Sequence, residues 1–125
     1  MRVAWVMKLK PGNEAIYKQK HDEIWPEMLA NMQRDGVRNF SIYRYGLLLF
    51  AYLERDTAPP EGQPHDPVTL RWWKMMEPYM EYNADGTPWQ APVEEILARE
   101  LDALDVFLLG REARGFRVDQ IGREH

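Results

Sequence analysis

Two side chains that can exchange protons with a ligand lie one helical turn apart near the start of the chain. Tyr17 carries a phenol, and His21, four residues later, carries an imidazole that titrates near neutral pH. Residues at this spacing on a helix project from the same face. The pair therefore predicts a site that binds and protonates a hydroxylated small molecule. Spacing alone also fits a half-exposed histidine beside a tyrosine at the rim of the core.

A pair of adjacent tryptophans is the second feature that could contact a ligand. Trp72 and Trp73 fall within an apolar helical pattern, and neighbouring residues on a helix point about 100° apart. We therefore expect one indole to pack in the core and the other to face a pocket or a partner chain. An indole offers a flat apolar wall on which the C–H face of a sugar ring can stack.

The helix that carries the phenol and the imidazole is predicted to follow a strand. Residues 2–9 are almost continuously apolar, as in a strand covered on both faces. Asn13 then provides a helix N-cap. Pro26 predicts a kink or a new helix start, because proline has no amide proton and clashes with the turn before it. Gly36 predicts the left-handed end of this helical region.

A hairpin, a loop and a second helix follow. Residues 37–45 and 47–53 are two apolar runs separated by Gly46, which predicts a β-hairpin whose second strand is central in the sheet. Residues 56–67 are rich in proline and predict an irregular loop. Asp66 with the proline after it predicts the start of the second helix.

A short helix at residues 93–101 and a closing strand at residues 105–109 are predicted in the last part of the chain. The order then becomes β-α-β-β-α-β, the ferredoxin-like arrangement of an α+β protein. Both helices cover one face of a single sheet, and dimerisation would cover the other, apolar face. We expect one domain at residues 1–110, with an insertion near residues 89–101, and a C-terminal tail at residues 111–125.

Composition argues against several classes of function. The chain of 125 residues has the length of one ordinary domain, and its net charge of −4 comes from interspersed acidic and basic side chains. Such a surface predicts no nucleic acid and no membrane as partners. The absence of cysteine excludes thiolate chemistry, and scattered histidines disfavour a metal site. The N-terminal apolar run is shorter than a signal peptide requires, so we expect a cytoplasmic protein.

Three stretches together resemble one known family, the L-rhamnose mutarotases. They are HDEIWPE at residues 21–27, preceded by Tyr17, then RWWK at residues 71–74, and the turn NADGTP at residues 83–88. The resemblance extends from about residue 3 to residue 109. It is far more specific than the spacing of two side chains.

The resemblance implies a homodimeric α/β barrel of two ferredoxin-like subunits that interconverts the α and β anomers of L-rhamnose without any cofactor. By motif position, His21 corresponds to the family's proton donor, and Tyr17, Trp72 and Trp73 correspond to substrate-binding residues. The family's next substrate-contacting tyrosine falls on Phe40, which keeps the ring and lacks the hydroxyl. We therefore expect L-rhamnose or a related deoxy sugar as the monosaccharide substrate.

Two other functions fit the same fold, since a fold does not determine an activity. The first is a cofactor-independent monooxygenase built on the same dimeric barrel. The second is a dimeric protein that binds a small molecule without catalysis. The adjacent tryptophans favour a sugar over the quinol-like substrates of such a monooxygenase.

Overall fold

The structure is a computed structural model that describes residues 1–101. Its strands are β1 (Arg2–Lys8), β2 (Val37–Tyr45), β3 (Leu48–Arg55) and β4 (Gln90–Pro92). Its helices are α1 (Glu14–Asp22), α2 (Pro26–Arg34) and α3 (Pro67–Met76), and a 3₁₀ turn at Glu77–Tyr79 follows α3. None of the described helices is long and apolar enough to cross a membrane. Met1–Glu94 forms one compact unit, and a second unit begins at Glu95.

The four strands form one antiparallel sheet in the order β2-β3-β1-β4. Ala51 on β3 pairs with Trp5 on β1 and with Ile42 on β2, so β3 is a central strand as predicted. β2 and β3 are joined by a tight hairpin at Gly46, whose φ of 59° lies in the left-handed region. The α+β, ferredoxin-like prediction is confirmed.

The core lies between the helices and one face of the sheet. Its sheet side alternates along the chain, with Met7 on β1 and Leu9 just after it buried, and Leu49 and Ala51 buried on β3. The helices and the segment after them contribute the remaining buried residues, which are Tyr17, Met28, Trp72, Met76 and Met80. Methionine is unbranched and fills irregular gaps, which suits a core formed where three short helices meet a sheet.

Pro26 divides the first helical region into two helices. It is the first residue of α2, and Trp25 before it has extended backbone angles of −63° and 136°. Residues before proline avoid the helical region because the proline ring clashes with their backbone. The predicted new start at this point is confirmed, as is the left-handed Gly36 that follows α2 with a φ of 74°.

The starts of α1 and α3 differ. Asp66 precedes α3, and its carboxylate accepts a hydrogen bond from the amide of Val68 at 2.8 Å, as a helix N-cap does. Asn13 precedes α1 but does not cap it with its side chain. Its Nδ2 instead donates to the carbonyls of Lys10 and Pro11, because the turn before α1 places those acceptors within reach. Asn13 is therefore the N-cap residue of α1, as predicted, but it makes no side-chain capping hydrogen bond.

The end of the described chain differs from the sequence-based expectation. Residues 90–92, within the predicted insertion, form β4 and pair with β1 at the edge of the sheet. The short helix predicted for residues 93–101 is wrong, because these residues have no regular secondary structure. Ile96 and Leu97 are 82% and 81% exposed, and a short helix without a packed apolar face is unstable in water. The strand predicted at residues 105–109 lies outside the described residues.

Candidate functional site

All five residues singled out in the sequence line one cavity of about 350 Å³ between the helices and the sheet. They are Tyr17, His21, Phe40, Trp72 and Trp73. The volume falls in the range of small-molecule pockets, and most of the other lining side chains are apolar. Residues from α1, α3 and β2 that are far apart in sequence therefore face the same space.

Tyr17 and His21 lie one turn apart on α1, with their ring centroids 4.2 Å apart. The Nδ1 of His21 lies 3.0 Å from the backbone carbonyl oxygen of Tyr17. Because a carbonyl oxygen only accepts hydrogen bonds, Nδ1 carries the proton and donates it. The neutral ring therefore has its lone pair on Nε2, and Nε2 is the nitrogen that can accept a proton from a ligand.

Burial keeps both of these side chains in their neutral forms. It lowers the pKa of His21, and the hydrogen bond to the Tyr17 carbonyl and the charge of Asp22 oppose this shift only in part. Burial also raises the pKa of the Tyr17 phenol, and Tyr82 raises it further. In the part of the chain that the structure describes, no hydrogen bond satisfies the Tyr17 hydroxyl, although the residue is only 6% exposed. The hydroxyl can therefore hydrogen-bond to a ligand in the cavity that Tyr17 lines.

The two indoles of α3 have different surroundings. Trp72 belongs to the core, and its ring lies edge-on to that of His21, with the centroids 5.4 Å apart. The ring of Trp25 also lies edge-on to that of Trp72, with the centroids 5.1 Å apart. Trp73 is half-buried, and the imidazole of His65 lies 4.7 Å from it, also edge-on. The expectation of one core indole and one pocket indole is thus met in part, because Trp72 packs in the core and also lines the cavity.

Phe40 is one of three β2 residues that line the cavity, and its ring lies against Trp5 with the centroids 6.1 Å apart. It follows Asn39, whose φ of 50° marks an irregularity in the pairing of β2 with β3. A β-bulge of this kind redirects the side chains of its strand. Phe40 supplies an aromatic wall and no hydrogen-bonding group.

Several lining residues were not anticipated from the sequence. Tyr82, Asn31, Arg55 and Gln90 all contribute to the cavity. Tyr82 stands next to a turn that the sequence did indicate, but no spacing linked it to Tyr17, from which it is separated by two helices and a hairpin. Gln90 was missed because its strand was assigned to an insertion.

A model of the L-rhamnose mutarotase family matches residues 2–98. The chain belongs to the L-rhamnose mutarotase family. The match to this family covers all five predicted site residues and β4.

Curated relatives and a solved structure agree with membership of the L-rhamnose mutarotase family. An L-rhamnose mutarotase of Listeria monocytogenes is 38% identical over 98 residues, which are 76% of this chain and 94% of the relative. One from Brucella anthropi is 41% identical over 92 residues, which are 70% and 85% of the two chains. The crystal structure of an L-rhamnose mutarotase from Formosa agariphila superposes with a TM-score of 0.72 at 30% identity, over 80% of this chain and 99% of that one.

For a member of the L-rhamnose mutarotase family, the cavity has a simple chemical inventory. It offers one neutral imidazole, two phenols and three indoles, and among residues 1–101 no buried side-chain nitrogen or oxygen lacks a hydrogen-bond partner. Within the same residues, no three His, Cys, Asp or Glu side chains come together as metal ligands would. The imidazole can accept and return a proton, the phenols can hydrogen-bond to hydroxyls, and the indoles can stack on a ring.

Proposed function

We propose that this protein interconverts the α and β anomers of L-rhamnose or a related deoxy sugar without a cofactor. The observation that carries the proposal is the fixed tautomer of His21 in a cavity lined by indoles. Its Nδ1 proton is engaged by the Tyr17 carbonyl, which leaves the basic Nε2 for the sugar. Family membership supports the reaction, and the geometry of the cavity supports the residue roles proposed below.

In the proposed reaction, Nε2 of His21 accepts the proton of the anomeric hydroxyl. The bond between C1 and the ring oxygen then breaks, its electron pair stays on the ring oxygen, and that oxygen receives the proton back from Nε2 of His21. The open-chain aldehyde rotates about the C1–C2 bond, and the reverse steps close the ring on the other face. A single imidazole that accepts and then returns one proton keeps the reaction balanced and contributes on the order of 10² to 10⁴-fold.

The other cavity residues have binding roles in this proposal. Tyr17 donates a hydrogen bond to the sugar, since its hydroxyl has no partner in the described chain and burial keeps it protonated. Trp72 and Trp73 stack on the C–H face of the ring. Phe40 contacts the apolar part of the sugar, such as the methyl group of a 6-deoxy sugar.

Anomer exchange measured by NMR saturation transfer tests the proposal. Adding the protein should raise the exchange rate of L-rhamnose, and the His21→Asn variant should lower the catalysed rate by about 10² to 10⁴-fold, because it removes the only proposed proton acceptor. Gln19→Ala, an exposed change on the same helix, serves as the matched control and should leave the rate unchanged. Unchanged exchange for L-rhamnose, L-fucose and other deoxy hexoses would contradict the proposal.

We further propose that two copies pair through the sheet face opposite the helices. On this face Tyr43 and Tyr45 are 67% and 78% exposed, and Phe50 beside Tyr43 is 40% exposed. Aromatic side chains exposed together on the face of a sheet are typical of a surface that another chain covers. This arrangement agrees with the homodimeric barrel expected from the sequence.

The proposed compartment is the cytoplasm. An enzyme that equilibrates the anomers of a free sugar serves the enzymes that consume one anomer, and those act where the sugar is metabolised. Fractionation of cells that express the protein tests this, and recovery with the membrane or outside the cell would contradict it.

A further inference from the structure

Tyr82 lines the cavity and lies in the segment between the 3₁₀ turn and β4. Its position is fixed by backbone pairing on the C-terminal side, where an isolated bridge joins it to Pro88 and the amide of Asn83 donates to the carbonyl of Thr87 at 2.8 Å. Its hydroxyl donates a hydrogen bond of 2.6 Å to the backbone carbonyl of Trp73. The phenol is thus anchored at both ends.

We propose that Tyr82 is a further substrate-binding residue, which accepts a hydrogen bond from one particular hydroxyl group of the sugar. The inference rests on the proposed function and adds a determinant of specificity to it. Tyr82 contacts no reacting atom in this proposal, and its role is to select and orient the ring.

The polarity of the contact follows from the hydrogen bond to Trp73. A phenol has one proton and an oxygen that can also accept, and here the carbonyl of Trp73 takes the proton. Burial, followed by the charge of Glu77, raises the pKa of Tyr82, so the phenol keeps that proton. Toward the cavity the oxygen can therefore act only as an acceptor, which favours a ligand hydroxyl and disfavours a carboxylate or an ether oxygen.

Tyr17 and Tyr82 have complementary roles. The Tyr17 hydroxyl has no partner among the described residues, whereas the Tyr82 hydroxyl has already donated its proton. The two phenols are close enough for Tyr82 to raise the pKa of Tyr17. Because Phe40 has no hydroxyl, the hydroxyl-bearing side chains that line the described cavity are Tyr17, Tyr82 and Thr69. Tyr82 therefore offers a sugar in this cavity only an acceptor, whereas Tyr17 can still donate.

The test removes the Tyr82 hydroxyl and single hydroxyls of the sugar, separately and together, and compares the resulting losses of binding affinity. Wild-type protein and Tyr82→Phe are titrated with L-rhamnose and with its 2-, 3- and 4-deoxy analogues, and the dissociation constants are measured by NMR chemical-shift changes of the protein. Tyr82→Phe should weaken L-rhamnose binding about three- to tenfold, the usual effect of one lost neutral hydrogen bond. One deoxy analogue should bind wild-type protein more weakly than L-rhamnose does, by the same factor of about three to ten. Tyr82→Phe should not weaken the binding of that analogue further.

A purely structural role predicts a different pattern. If Tyr82 only anchored Trp73, Tyr82→Phe would weaken all four ligands by the same factor, and that result would overturn the proposal. Tyr79→Phe is the matched control, since it removes a hydroxyl three residues earlier from a side chain that does not line the cavity, and it should not change binding. In the exchange assay, Tyr82→Phe should raise KM more than it lowers kcat.

Binding and anomer exchange separate this proposal from the proposed function. Wild-type protein that binds L-rhamnose without accelerating exchange would contradict the mutarotase activity. The role of Tyr82 would still be supported if the affinity losses from removing its hydroxyl and one sugar hydroxyl were not additive. Wild-type protein that binds none of the four sugars, or that binds them with additive losses, would overturn the assignment of Tyr82.

Discussion

At the scale of single residues, the site depends on one imidazole whose two nitrogens are made different by the backbone. The carbonyl of Tyr17, one turn back on the same helix, engages Nδ1 of His21 at 3.0 Å. The hydrogen bond also orients the ring between the Tyr17 phenol and the Trp72 indole. The sequence predicted that the two residues share a helix face, but it could not predict which nitrogen the backbone engages, because that depends on the side-chain rotamer.

The pH dependence of catalysis should report this imidazole. Burial lowers the pKa of His21 below its ordinary value of about 6.5, so the base form persists to more acidic pH than in an exposed histidine. The catalysed exchange rate should be constant near pH 7 to 8 and fall on acidification with a midpoint below about 6.5. Exchange rates measured between pH 4.5 and 8 test this, after subtraction of the rate without protein.

The lowered pKa of His21 also makes the stability of the folded protein depend on pH. The unfolded chain binds the His21 proton more tightly than the folded chain does, so this residue's contribution to the free energy of unfolding is complete above the unfolded pKa. It is lost as the pH falls from about 6.5 toward the folded pKa.

For the activity profile, a midpoint above about 6.5 would contradict the prediction, because it would mean that the cavity stabilises the charged ring of His21.

At the scale of elements, local chemistry decided the predictions that were right. Pro26 starts α2 and Gly36 ends it, because proline and glycine restrict or permit the backbone whatever surrounds them. The predictions that failed needed knowledge of neighbours. Residues 93–101 have helical spacing but leave Ile96 and Leu97 exposed, and residues 90–92 form a strand only because β1 offers an edge.

Asp66 is the element-scale feature with the clearest energetic consequence. One carboxylate oxygen accepts from the amide of Val68 and also from Nδ2 of Asn31 at 2.9 Å, and the other lies 3.5 Å from the guanidinium of Arg34. It thus caps α3 and ties it to α2. Asp66→Ala should lower the free energy of unfolding by about 1–3 kcal/mol, since it removes the cap and a hydrogen bond between helices.

Urea unfolding followed by circular dichroism measures this effect. Asp66→Asn is the matched control, because an amide oxygen can still cap the helix, and it should cost less than about 1 kcal/mol. If Asp66→Ala unfolded at the wild-type urea concentration, the cap would contribute nothing to stability.

At the scale of the whole molecule, the fold brings residues from three elements to one cavity. The order of elements from β1 to α3 was predicted from the sequence, and the family motifs pointed to Tyr17, His21, Phe40, Trp72 and Trp73, which all line that cavity. Tyr82 could not be found in this way. Its contribution depends on a 2.6 Å hydrogen bond to α3, and such a contact leaves no periodic signal in the sequence.

The uncovered sheet face predicts the oligomeric state. Sedimentation velocity should show a dimer for the wild-type protein, and Phe50→Glu should shift it toward monomer, because a charge would be buried in the interface proposed for that face. Leu70→Glu is the control, since Leu70 is also an exposed apolar residue but lies on α3, away from the proposed interface. A wild-type monomer at tens of micromolar, or equal dissociation by both variants, would contradict the proposed interface.

The edge-on contact between His21 and Trp72 has an optical consequence. A protonated imidazole next to an indole quenches its fluorescence, whereas a neutral imidazole does so much less. With 5.4 Å between the two ring centroids, the emission of Trp72 should respond to the charge on His21. The protein therefore carries its own indicator of the proton that its proposed chemistry uses, and that indicator can be followed without substrate or label.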